Sequence, residues 1–208
     1  WHFWRFRLLL ALVLAYCLLA SAAKGEISAR FYQARFFFSY EGLEWLPYLG
    51  DGFIYGLYAL LPLAALGIAL PQRRWARWAV AVFGLGFTYL HLIDSTNYIN
   101  HYYLVSLLCG LLWLALGEEK EAHLYFWLRL MRGQIALVYV FAGIAKINAD
   151  WLMQAQPLRI WLLQAAEPPY FAWLGDYRLA FAASWAAMLY DLTIPLWLVW
   201  QRTRAWAY

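Results

Sequence analysis

The sequence predicts an all-α protein, a polytopic transmembrane helix bundle of about six spans with interfacial or re-entrant helices besides. Three observations carry that prediction. Hydrophobic residues make up 65% of the 208, aromatic residues 21% and charged residues 13%, a balance far from that of soluble domains. The charged residues stand in short groups between apolar runs, whereas a soluble fold needs them to recur along helix faces. Several of those runs approach the roughly 20 residues that cross a bilayer.

Residues 8–23 form the first expected span, extended into the interface by Trp4 and Phe6. Residues 24–50 mix Arg30, Arg35, Glu41 and Glu44 with Phe31, Phe36, Phe38 and Trp45, the pattern of a segment lying along lipid headgroups. The second span is residues 52–70, with Pro62 as an expected kink. Residues 78–93 and 102–116 give the third and fourth, separated by DSTNYINH, in which Asn97 is expected to cap the fourth helix. The run GEEKEAHLYFWLRLMR reads as a surface or amphipathic connection to the fifth span, residues 134–147. Residues 151–175 are apolar but interrupted by Pro157, Arg159, Pro168 and Pro169, which suits a re-entrant or interfacial excursion. The sixth span, residues 179–200, carries Asp191 and Pro195 and is closed by QRTR.

With the N-terminus inside, ten of the sixteen basic residues fall in the inner segments, among them Arg7, Arg73, Arg74, Arg77 and Arg132. The positive-inside rule then makes that side cytoplasmic, in an integral membrane protein of a bacterial inner membrane. Residues 94–101 and 146–150 share the extracytoplasmic side. A net charge of +4 scattered over several loops excludes a nucleic-acid partner. Cys17 and Cys109 sit inside apolar runs and are expected to be small buried hydrophobes, with neither a disulfide framework nor a cysteine metal site. The four histidines form no HxxxH, HxxHH or HExxH arrangement, so no metal is expected. No glycine-rich phosphate loop and no GxSxG appears. Beginning without methionine and stopping at Tyr208 just after a basic group, residues 1–208 are expected to be a single domain from a longer chain.

Polar residues inside such runs are the candidates for function. Lys146, in FAGIAKINADW, is costly near bilayer depth and is therefore a site candidate. Its plainer reading is a snorkelling lysine at a helix C-terminus, paired with Asp150 one turn on. Ala142 and Gly143, one turn back, leave space beside the amine in which a flat ligand could lie. Asn100 and His101 open the fourth helix, as binding groups or as a cap and a loop hydrogen bond. His91 and Asp94, three apart, read as an orienting pair or a polar helix end.

Several separated motifs, FYQARFFFSYEGLEWL, FTYLHLIDSTNYINHYYL, QIALVYVFAGIAKINADWL, LRIWL and YDLTIPLWLVWQRTR, resemble the vitamin K-dependent γ-carboxylases and their bacterial relatives, the horizontally transferred transmembrane (HTTM) domain proteins. The resemblance runs through most of residues 30–204. It implies that Lys146 is the catalytic base and that Asn100 and His101 bind the quinone; Asp94 and Asp150, from the residue pattern, are expected as supporting residues. The cofactor it implies is vitamin K hydroquinone or a related quinol. The chemistry is lysine-initiated quinol oxygenation coupled to glutamate carboxylation, which an apolar pocket favours by keeping the amine neutral and water out. The family's paired lysines are reduced here to one, with Ala145 at the first position. The large extracytoplasmic portion by which carboxylases bind their protein substrate is not present in these residues. Membrane lipid and quinone are the partners expected, with a protein substrate or a membrane-complex partner beside them. The competing expectation is a non-catalytic subunit or scaffold of a larger membrane complex, packing through small residues such as ASWAAM at 183–188.

Overall fold

The computed structural model describes residues 2–25, 36–97, 100–167, 169–200 and 202–203. Among these the protein is all-helical, without a strand. It divides into two compact units, Trp1–Met131 and Arg132–Tyr208.

In the first unit α1 (His2–Ala23), α2 (Asp51–Gly67), α3 (Arg73–Leu92) and α4 (Asn100–Leu116) pack in succession, each on the next. Leu61, Ala65, Val80, Phe83 and Leu112 are closed from solvent between them. On the outside the pattern inverts: Leu9, Tyr16, Leu63 and Leu85 are each 64–74% exposed. Apolar exposure on that scale suits lipid, not water. Cys109 is buried where α4 meets α3 at Gly84. Cys17 is exposed on α1, against expectation, because the apolar run around it faces outward as well as inward.

The ends of α2 and α4 show why basic residues sit where they do. The last carbonyls of α2 and α4 take the N–H groups of residues 68–70 and 117–118, which leaves the carbonyls of the turns just beyond to donors from elsewhere. Trp4 Nε1 donates to Ala69 O at 3.1 Å and Arg7 Nη2 to Leu70 O at 3.2 Å, just beyond the end of α2. Arg73 Nη1 donates to Glu118 O at 3.0 Å, just beyond α4.

Residues 36–50 form no helix and are held by hydrogen bonds to the end of α3. Tyr89 Oη donates to Pro47 O at 3.0 Å and accepts from Leu49 N at 3.1 Å. Phe36 and Trp45 are exposed on the segment. Its first part, residues 26–35, lies outside the described residues, as does the opening of the FYQARFFFSYEGLEWL motif.

Helix α5 (Glu121–Ala145) runs 25 residues without a break and contains the division between the units. The expected surface connection is therefore helical and continuous with the fifth span from residue 121. No proline interrupts it, and HLYFWLRLM is apolar enough to extend the span. In the second unit α6 (Ala149–Gln154), α7 (Leu158–Ala165) and a 3-10 turn (Pro169–Gly175) pack on α8 (Tyr177–Val199). These short elements suit the expected excursion, and Pro157, at the N-cap of α7, sets the break. Pro168, Gln201 and Arg204 lie outside the described residues.

Among the described residues three helical stretches are long and apolar enough to cross a membrane: Phe3–Ala23, His123–Ala145 and Tyr177–Leu198. Asp51–Gly67 and Asn100–Leu116 are apolar but shorter.

Candidate functional site

The second unit organises a polar junction where α5 gives way to α6. Helix α5 stops at Ala145, and Asn148 joins the two helices. Its Nδ2 donates to Ala145 O at 2.7 Å, serving an orphan carbonyl of α5. Its Oδ1 accepts from Trp151 N at 2.9 Å, serving an orphan N–H of α6. One side chain thus ends one helix and starts the next, and Lys146 lies in the gap.

There Lys146 Nζ donates to Asp191 Oδ2 at 2.6 Å and to Ala142 O at 3.3 Å. It also lies 5.1 Å from the centroid of the Trp151 ring, within cation–π range. The side chains of Lys146 and Asp191 are 21% and 14% exposed. Trp151 is itself held on α8: its Nε1 donates to Ser184 O at 2.7 Å, and Ser184 Oγ donates to Trp151 O at 2.6 Å. Trp185 Nε1 adds a bond to Leu152 O at 3.1 Å.

The closeness of α5 to α8 depends on Gly143, at whose position Leu192 of α8 comes within the space a side chain would fill. Leu192 follows Asp191 directly, so the contact that needs glycine also brings the carboxylate to the amine. The space expected beside the amine for a flat ligand is, at Gly143, taken by Leu192.

Asp150 is not the partner expected for Lys146. The pairing of residues four apart requires one continuous helix, and the chain leaves the helix between 145 and 149. Asp150 is exposed in the first turn of α6, where a carboxylate suits the positive helix end. Asp191 was visible in the sequence only as an acid inside the sixth span. An acid and a lysine, each alone in its apolar run, were a signal for pairing. Pro195, one turn after Asp191, cannot donate to the Asp191 carbonyl, so α8 lacks that backbone bond beside the ion pair.

The remaining candidates belong to the first unit. Asn100 and His101 are exposed in the first turn of α4. Capping by Asn97 falls on a side chain outside the described residues. Asp94, buried, accepts from Phe38 N at 3.3 Å and Thr96 N at 3.0 Å through Oδ1, while Ser95 N donates to Phe38 O at 2.7 Å. The carboxylate ties residues 36–38 to the α3–α4 connection. The His91 ring stacks on Tyr102 at 4.3 Å and meets the Phe87 ring edge-on at 4.4 Å.

Chemically, the junction sets an amine against a carboxylate at 2.6 Å beside a flat aromatic face. No solved structure matches the chain. The family model of the HTTM domain matches residues 3–208. That is essentially the whole sequence, and the chain belongs to the HTTM domain family.

Proposed function

We propose that this protein is a vitamin K γ-carboxylase-like membrane enzyme in which Lys146 accepts the proton that initiates quinol oxygenation. The observation that supports this is the bond from Lys146 Nζ to Asp191 Oδ2. An amine acts as a base only when its lone pair is free, so before it takes the quinol proton Lys146 must pass the proton of the pair to the Asp191 carboxylate, 2.6 Å away. The residues fit a quinol: a proton acceptor, a relay behind it, and the Trp151 ring, 5.1 Å from Nζ, as a face for an aromatic ligand. When bound, the quinol supplies through its oxidation by dioxygen the driving force for carboxylating a glutamate γ-carbon. For Asn100 and His101 the role of holding the quinol oxygen rests on the motif resemblance alone, with Asp94 and Asp150 as supporting residues. The reading carries with it a bacterial inner-membrane location, with the N-terminus cytoplasmic and the site on the extracytoplasmic side.

The test is epoxide formation from vitamin K hydroquinone by the full chain in native lipid. Lys146→Ala abolishes it and Asp191→Asn lowers it about 100-fold, the lower end of the usual contribution of acid–base catalysis, while both variants remain folded in membranes. Wild-type turnover in Lys146→Ala overturns the reading.

A second reading is supported by the same contacts. Gly143 against Leu192, Lys146 on Asp191 and Trp151 on Ser184 together clamp α5 and α6 to α8, which a non-catalytic subunit or scaffold also needs. Purification in native lipid separates the two. Bound quinone supports the enzyme, and a stoichiometric protein partner without quinone supports the scaffold.

A further inference from the structure

At the far end of the first unit from Asn100, the α3 N-terminus and the α4 C-terminus form an open cavity of about 390 Å³ lined by Arg74, Arg77, Trp78, Trp113, Leu116 and Gly117. Arg73, Arg74 and Arg77 crowd the first turns of α3, and that first turn holds no acid. Cations at the positive end of a helix dipole oppose helix formation, so this charge is not there to stabilise α3. Arg73 is engaged with the Glu118 carbonyl. The nearby Glu118 carboxylate bonds His123 Nδ1 at 3.1 Å, and no carboxylate lines the cavity. The Arg77 guanidinium lies 4.0 Å over the Trp113 ring. It occupies the room left by Gly117, whose missing Cβ would sit 2.7 Å from Arg77 Cζ. Its Nε is buried with no hydrogen-bond partner among the described residues, so the guanidinium's donor capacity is not met there.

We infer that this cavity binds the phosphate of an anionic phospholipid headgroup, through Arg74 and Arg77, with Trp78 and Trp113 against the glycerol and upper acyl region. Guanidinium forks match phosphate oxygens in pairs, and tryptophan favours the headgroup level of a bilayer. Trp75 and Trp78, exposed on the same turns, fit that depth.

The test is native mass spectrometry of the full chain from mixed phosphatidylglycerol–phosphatidylcholine nanodiscs, scoring retained lipid. Wild type is expected to retain phosphatidylglycerol over phosphatidylcholine. Arg74→Gln reduces that preference about 5-fold and Arg74→Gln/Arg77→Gln about 30-fold, as expected for the loss of one and two arginines at an anionic surface. Arg129→Gln/Arg132→Gln, with equal charge loss outside the cavity, keeps it. Equal retention of the two lipids by wild type overturns the proposal, as does an unchanged preference in Arg74→Gln, a variant at an exposed side chain that leaves Arg77 on Trp113. Displacement of the lipid by inorganic phosphate overturns the lipid assignment in favour of free phosphate.

Discussion

A β-carbon at Gly143 would lie 2.7 Å from the Leu192 side chain and 3.1 Å from the Leu192 backbone nitrogen. A rigid main chain is on the receiving side, so a larger residue must push α5 off α8. Gly143→Val is expected to cost about 1–3 kcal/mol and to separate Lys146 from Asp191. A lowered thermal midpoint in detergent, together with loss of epoxide formation, checks this. An unchanged midpoint would show that the helices do not touch there.

The Lys146–Asp191 pair predicts an asymmetry between single and double variants. Asp191→Leu leaves an ammonium in a largely enclosed place and should cost about 3 kcal/mol. Lys146→Met/Asp191→Leu removes both charges and should recover most of that stability without restoring any activity. Thermal unfolding of the four-member cycle reads the coupling. Additive losses would mean that the two charges do not depend on each other.

Asn148 serves two helices with two different atoms, so its variants should separate. Asn148→Ala loses both bonds and should cost more than the roughly 1 kcal/mol of an N-cap alone. Asn148→Asp keeps an acceptor for Trp151 N but no donor for Ala145 O, and should fall between alanine and wild type. Equal effects of the two substitutions would leave the bond to Ala145 without consequence.

Asp94 should matter to the loop it holds. Asp94→Ala leaves the N–H groups of Phe38 and Thr96 without their carboxylate acceptor, at about 1–3 kcal/mol, and should raise hydrogen exchange across residues 36–50. Asp94→Asn retains one oxygen and should protect the loop better. Exchange confined to residues outside 36–50 would contradict this role.

The all-helical class and the position of Lys146 at a helix end were legible in the sequence because composition and apolar run length report them directly. The family was legible in motifs that contain both polar clusters. The partner of Lys146 was not. Spacing pointed to Asp150, and only the break between Ala145 and Ala149 shows why four residues here do not make one turn. Asp191 is distant in sequence, and pairing across helices leaves no local period to read. The length of α5 was also hidden, since charged residues at 118–121 marked the start of a loop without showing where it ended. Gly143 illustrates the same limit: a small residue signals room, but only the opposing helix reveals what fills it.

The bonds at the ends of α2 and α4 have a direction along the chain. Trp4 and Arg7 serve Ala69 and Leu70, and Arg73 serves Glu118; in each case the donor precedes the acceptor. During synthesis the groups that hold the turn after a helix are therefore already made when that turn emerges. Each new apolar segment can settle against an earlier one that carries its terminator, and an exposed carbonyl end need not wait in the bilayer for residues still inside the ribosome.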